Sequence, residues 1–224
     1  MSNVLVVVAH SDDETIGMGG TIAKLASEGA KVSVMSLTDG VGARRLKDHQ
    51  AQSIRAQNAE RAATILNFSW VAQKLYPDNG LDSVPLLEIV RDIEYIKREL
   101  EPEIVFTHSP ADLNVDHRRT FEAVLTAFRP EPGQSLRELR LFEIPSATDF
   151  SFGGFTKEFS PRIYEGVQSF WEKKLLALSS YGSEIRDYPH SRSLEAISAL
   201  AVVRGAQVGM FKAEAFDIVR SLRP

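Results

Sequence analysis

Val4-Leu5-Val6-Val7-Val8-Ala9-His10-Ser11-Asp12-Asp13-Glu14 decides how the rest of this chain is read. Six apolar residues with no polar alternation describe a strand buried on both faces, the pattern of a parallel sheet. Four of the next five residues are ionisable. Placed directly against a buried strand, such groups are costly unless something compensates them. A divalent cation would compensate them. His10 and Asp13 are three apart on a strand-to-helix turn, so both can face one point, while Asp12 projects differently and stays close to it. Acids at a helix N-terminus are also favoured by the helix dipole, which is the plainer account of Asp13 and Glu14 taken alone.

Working outward, strands and helices alternate. Ile16 to Glu28 has Ile22, Ala23, Leu25 and Ala26 at helical spacing and stops at Gly29. Lys31 to Leu37 reads as a second strand, with Thr38-Asp39-Gly40 as its turn, and Asp48 to Leu66 as a long helix. A short strand is expected near Trp70, and Asp78-Asn79-Gly80 is loop chemistry. A helix over Leu86 to Leu100 ends before Pro102. A strand follows over Ile104 to Thr107, then a loop and a helix over Asp116 to Phe128. Beyond a break near Pro130 to Gln134, Arg140 to Ile144 and Arg162 to Val167 read as strands. Ser169 to Ser179 and Leu194 to Val208 read as helices. The order predicts a single-domain α/β fold over residues 1–224, Rossmann-like and doubly wound, with a mostly parallel sheet and helices on both faces. No internal repeat, low-complexity segment or linker is visible.

Ligands of open α/β sheets sit at the carboxyl ends of the strands. Three predicted ends carry polar clusters: His10 to Glu14, Thr38 to Gly40, and His108 to His117. The last contains Asn114-Val115-Asp116-His117, an Asp-His pair of little meaning alone but well placed to complete the first cluster. His10, Asp13 and His117 would give two nitrogens and one carboxylate oxygen, an open tetrahedral site of catalytic type. Asp116 could orient the His117 ring or a neighbouring group. With no cysteine in the chain and mixed N/O donors, zinc is the first choice, and Fe(II), Co(II) or Mn(II) can substitute.

Composition bounds the partners. The 224 residues suffice for one domain with a sizeable core. A net charge of −4 excludes a broad basic surface for nucleic acid and gives no polybasic membrane patch. No apolar run approaches the roughly 20 residues that span a bilayer, and no signal-peptide pattern precedes Val4. A cytoplasmic location is expected.

At this level of detail the chain resembles a known family. Ala9-His10-Ser11-Asp12-Asp13-Glu14 looks like the AHPDDE signature of the LmbE/PIG-L deacetylases, with Ser11 for the usual Pro. Asp112-Leu113-Asn114-Val115-Asp116-His117-Arg118 looks like the family's second motif. Gly17 to Gly20, Thr38-Asp39-Gly40, Pro77-Asp78-Asn79 and Ala213-Glu214-Ala215-Phe216 extend the likeness over most of the chain. The resemblance implies a zinc-dependent hydrolase that removes an N-acyl group, usually acetyl, from an amino-sugar derivative. It makes His10, Asp13 and His117 the metal ligands, Asp12 the general base and Asp116 an outer carboxylate. Asn114 stands where many relatives have a His credited with stabilising the transition state. An amide donates to an oxyanion but shuttles no proton, so His108 or His190 is expected to take that part. The implied partner is a small N-acylated sugar, with no nucleic acid and no membrane insertion, and a homotrimer or homohexamer would fit the family.

Further residues are weighed on their surroundings. His190 and Arg192 lie in the polar loop Tyr188 to Ser193 and are expected near substrate. Arg44, with Arg45 beside it, could meet a phosphate or sugar, although exposed arginines are commonly only solvated. His49 reads as solvated. Phe150, Phe152 and Phe155 either line a sugar platform or pack a loop onto the core, and Trp171, Leu175 and Leu178 read as core. Two other classes compete. A nucleotide-binding module is suggested by Gly17, Gly19 and Gly20, but no GxGxxG occupies the first turn and acids sit where a pyrophosphate would be repelled. An aspartyl phosphatase would place its acid immediately after the strand, which His10-Ser11-Asp12-Asp13 does not.

Overall fold

The structure, a computed structural model, describes residues 2–38, 40, 49–152 and 158–223, with the side chain of His49 excepted. Among them are seven strands: β1 (Asn3–Val8), β2 (Lys31–Thr38), β3 (Ser69–Tyr76), β4 (Ile104–His108), β5 (Glu138–Phe142), β6 (Ile163–Gly166) and β7 (Ala213–Ser221). The helices are α1 (Asp13–Ser27), α2 (His49–Leu66), α3 (Leu86–Leu100), α4 (Val115–Ala127), α5 (Trp171–Ser180) and α6 (Leu194–Ala206).

One sheet runs in the order β3-β2-β1-β4-β5-β7-β6. The first five strands pair in parallel, and β7 runs antiparallel between β5 and β6. The period of two along β1 sends its side chains into two cores. Val4, Val6 and Val8 pack with α1, α2, α5 and α6, whereas Leu5 and Val7 pack with α3 and α4. That is why the strand has no polar face. Helix α3 shows the complementary pattern: Ile89, Val90, Ile93 and Ile96 form one buried stripe, while Leu87 and Tyr95 are exposed. Trp171, Leu175 and Leu178 pack in the first core, as expected.

The α/β, mostly parallel architecture is the one read from the sequence; helix ends differ by up to three residues, and three strands differ as follows. β3 is an eight-residue edge strand, not a short one. β5 begins two residues before the predicted strand and ends two before its end. β7 was not predicted, because Ala213-Glu214-Ala215 has weak strand propensity; its conformation comes from pairing on both edges.

The strand order reverses between β1 and β4, the position where open α/β sheets bind ligands. Helix α1 leaves β1 there and is kinked at Met18 (φ −149°, ψ 24°). Around the kink, backbone groups take side-chain partners. The Gly20 and Thr21 N–H groups donate to Glu214 at 3.0 and 2.6 Å, and Lys174 Nζ donates to the Ile16 carbonyl at 2.8 Å and to Glu214 at 2.6 Å. The α1 glycines serve close packing. A Cβ on Gly17 would sit 2.6 Å from the Phe142 ring, and one on Gly20 would sit 2.8 Å from Val167.

Candidate active site

His10, Asp12 and Asp13 follow β1, and His117 lies in the first turn of α4, after the loop that leaves β4. The long loop returns because Asn114 caps α4: its Oδ1 accepts the Asp116 N–H at 2.8 Å, and its own N–H donates to Asp112 at 2.8 Å. Residues about a hundred apart in sequence thereby share one cavity of about 240 Å³. His10, Asp12, Asp13, Asn114, His117 and Arg192 lie on its wall, with Arg55, Asp78, Glu184 and Arg186.

Asp13 Oδ2 is at the centre. It lies 3.1 Å from His10 Nδ1, 3.4 Å from His117 Nε2 and 3.5 Å from His108 Nε2, and it also accepts the His10 N–H at 2.9 Å. Donor atoms of His10, Asp13 and His117 all fall within 4.8 Å of one another. Tetrahedral ligands at zinc-like bond lengths are separated by about 3.3 Å, so this buried set fits a small divalent cation. The outer nitrogens are also held. His10 Nε2 lies 3.2 Å from both Asp78 and Asp116, and His117 Nδ1 lies 3.0 Å from Asp112. Asp116 is fixed in turn by the Asn79 and Leu81 N–H groups at 2.7 and 2.9 Å, and Asp112 by the Thr148 hydroxyl at 2.9 Å. Carboxylates behind imidazoles orient such rings for a metal. Asp116 therefore holds His10, the neighbouring group, and Asp112 has the place beside His117.

The adjacent aspartates are driven apart. Burial pushes Asp13 up, but His117, His108 and His10 outweigh it and hold the carboxyl well below its ordinary range. Burial raises Asp12, and Asp13 adds to this, while Arg55 and Arg192 oppose it; the net shift is upward. For His117, burial works against protonation, yet Asp13 and Asp112 carry its pKa to about 9. Two neighbouring carboxyls with opposite shifts are a mark of distinct chemical roles.

Arg55 went unremarked in the sequence because it sits midway along α2, where an arginine reads as solvated. It is 8% exposed. Its guanidinium lies 3.1 Å from Asp12 and 2.8 Å from Glu184, and its Nε donates to Ser11 Oγ at 3.3 Å. Gly40 leaves room for it, since a Cβ there would lie 2.5 Å from Nε. Ser11, in the position of the expected Pro, thus joins the group that holds Asp12. Glu14 is fully buried and is not on the cavity wall. It accepts from the Asp12 N–H, the Thr15 hydroxyl and the Tyr181 hydroxyl at 3.0, 2.7 and 3.0 Å. Burial above all raises its pKa to about 7.

Other expected residues lie elsewhere. His108 is fully buried behind the cavity, its ring stacked on His117 at 4.0 Å, and its Nε2 accepts the Ala9 N–H at 2.9 Å. His190 is exposed and off the cavity wall, and its Nδ1 accepts the Arg192 N–H at 3.0 Å. Arg192 is on the wall. Phe150 and Phe152 stack on each other, and Phe152 is 88% exposed, so neither packs into the core. Asp39, Arg44, Arg45 and Phe155 lie outside the described residues.

The sequence profile described as "GlcNAc-PI de-N-acetylase" (PIG-L) matches residues 5–128, a span that contains all three polar clusters. The chain belongs to the PIG-L family. A PIG-L relative from Rhodococcus erythropolis, a 1D-myo-inositol 2-acetamido-2-deoxy-alpha-D-glucopyranoside deacetylase, is 31% identical over 58% of this chain and 56% of its own length. A probable N-acetyl-alpha-D-glucosaminyl L-malate deacetylase 2 from Bacillus anthracis is 25% identical over 81% of each chain. The N,N'-diacetylchitobiose deacetylase of Pyrococcus horikoshii superposes with a TM-score of 0.78 at 26% identity, over 97% of this chain and 84% of that one. The match to the first of these spans little more than half that protein's length. The Pyrococcus horikoshii superposition covers 97% of this chain, so the shared fold continues past the profile match, which ends at residue 128. Among the described residues, no helix is long and apolar enough to cross a membrane.

Proposed function

We propose that this chain is a zinc-dependent hydrolase that removes an N-acetyl group from a 2-acetamido-2-deoxyglucose derivative. The observation that carries this reading is the buried His10, Asp13 and His117 set with Asp12 beside it on one cavity wall. The names of the three relatives support it: each is named as a deacetylase, in the second case a probable one, of an acetylated glucosamine compound.

In this reading His10, Asp13 and His117 hold the metal. Bound there, zinc supplies Lewis-acid polarisation of the amide carbonyl and of the attacking water. Asp12 takes a proton from that water as it attacks the carbonyl carbon, and returns it to the nitrogen as the C–N bond breaks. Free amine and acetate leave. Arg55 keeps Asp12 aimed and favours its charged form. Asn114 uses its carbonyl oxygen as the α4 cap, which leaves its NH2 group to donate to the developing oxyanion. His108 is assigned no proton transfer, because its Nε2 is committed to the Ala9 N–H behind the cavity. With His190 off the wall as well, Asp12 serves as both base and acid.

The test is acetate release from a panel of N-acetylglucosamine glycosides by protein of known metal content. Release that disappears on chelation and returns with zinc is expected; full activity in metal-stripped protein would refute the reading.

A further inference from the structure

Asp12 stands at the N-cap of α1, yet its side chain does not cap the helix. An aspartate in that place ordinarily turns back and accepts an N–H of the first turn. Here that conformation would take the carboxylate off the cavity wall. Arg55 holds the carboxylate outward from the front. Two residues that the reaction leaves unused hold its main chain from behind. Glu14 is 0% exposed and Tyr181 is 1% exposed. Glu14 Oε2 accepts the Asp12 N–H at 3.0 Å, a donor that also reaches the His10 carbonyl at 3.2 Å. Glu14 Oε1 accepts the Thr15 and Tyr181 hydroxyls at 2.7 and 3.0 Å. Three donors thus fix the plane of this carboxylate. Tyr181 closes α5, 167 positions from Glu14, and has a second link to Asp12. Its carbonyl accepts the Glu184 N–H at 2.8 Å, Glu184 pairs with Arg55 at 2.8 Å, and Arg55 pairs with Asp12 at 3.1 Å. One tyrosine therefore reaches the Asp12 main chain through its hydroxyl and the Asp12 carboxylate through its carbonyl.

We propose that Glu14 and Tyr181 are positioning residues for Asp12: their hydrogen bonds hold its main chain so that the carboxylate faces the cavity instead of capping α1. The consequence for turnover rests on the deacetylase reading above, in which Asp12 is the base. Glu14 acts here as an acceptor and not as a charge. Its partners are an amide and two hydroxyls, and none is a cation. A side-chain amide can take over that part. In E14Q the carbonyl oxygen can accept the Asp12 N–H while the NH2 group donates to the two hydroxyls, which rotate to accept. In E14L no acceptor remains. In Y181F the ring and the carbonyl link stay, and only the hydroxyl is lost.

Crystal structures, metal content and turnover of metal-loaded E14L, E14Q and Y181F test this, with the best substrate of the N-acetylglucosamine glycoside panel. In E14L the Asp12 carboxylate should swing toward the first turn of α1, and in Y181F it should move part of that way. In E14Q it should stay on Arg55. The kcat per bound metal is expected to fall on the order of tenfold or more in E14L and less in Y181F, with KM and metal content little changed. E14Q should recover most of that loss. An Asp12 carboxylate that stays on Arg55 in both E14L and Y181F overturns the proposal, whatever the melting temperatures do. So does an E14Q as displaced and as slow as E14L, because charge or proton transfer would then be the contribution of Glu14. Should E14L not fold, Y181F carries the same comparison alone. The two readings fail separately. An Asp12 that swings inward while turnover holds refutes Asp12 as the base and leaves the positioning intact.

Discussion

Asp12 and Asp13 are chemically identical neighbours, and their surroundings shift them in opposite directions. Asp13 faces three imidazoles and Asp12 faces Arg55. Asn is nearly the size of Asp but is a poor zinc ligand and no base. Asp13→Asn is therefore expected to lose bound metal. Asp12→Asn should keep its metal and lose about 100- to 10,000-fold in turnover. Metal stoichiometry and kcat measured on both variants check this, and metal loss in Asp12→Asn alone would reverse the two roles. Arg55 allows a second prediction with a definite sign. Its charge opposes the burial that raises Asp12. In Arg55→Gln the Asp12 pKa should rise, so the acidic limb of the kcat/KM profile should move to higher pH. The same substitution leaves Asp12 and Glu184 without their shared cation, at a cost of about 3 kcal/mol in stability. A pH profile that does not move would separate Arg55 from Asp12 function.

Helix α1 is the element that converts a buried strand into a site. Its kink at Met18 is held by Lys174 and Glu214, both about 95% or more buried, from α5 and β7. Removing one member leaves the other charged and uncompensated, together with a backbone group that has lost its partner. Lys174→Met is expected to destabilise by about 3–5 kcal/mol in denaturant unfolding, whereas Glu214→Gln keeps one acceptor oxygen and should cost less. Equal losses would mean that the charge of Glu214, and not the acceptor oxygen that Gln retains, is what holds the kink. Packing of the same helix is tight enough to test with one methyl group. In Gly20→Ala the new Cβ meets Val167, and a loss of about 1–3 kcal/mol is expected. Unchanged stability would mean that α1 can shift away from the strand end without penalty.

At the scale of the whole molecule, the proposed metal ligands His10, Asp13 and His117 tie the end of β1 to α4 across the switch point of the sheet, so metal binding is expected to be a folding term. A ligand at 100 times its Kd stabilises by about 2.7 kcal/mol. For a chain of this size that corresponds to about 5–10 °C in Tm. Chelation should lower the melting temperature by that order, zinc should restore it, and His117→Ala should abolish the response. A melting temperature indifferent to chelator would place the metal elsewhere or nowhere.

The local sequence determined most of the elements and the site's first ingredients. Val4 to Ala9 could only be a strand buried on both faces, because its apolar run has no polar face to turn to water. His10, Asp12 and Asp13 were legible because ionisable residues cannot abut such a strand without a reason. His117 was legible through the motif around it. Tertiary structure decided the rest. Ala213 to Ser221 is a strand only because β5 and β6 offer it edges. Arg55 is a site residue only because Gly40 and Glu184 fold over it. His108 and His190 carry the right chemistry in the sequence, yet one is sealed behind the cavity and the other lies off its wall. Which way a side chain faces, and what neutralises it, depends on chain segments far away in sequence. No spacing rule within a cluster contains that information.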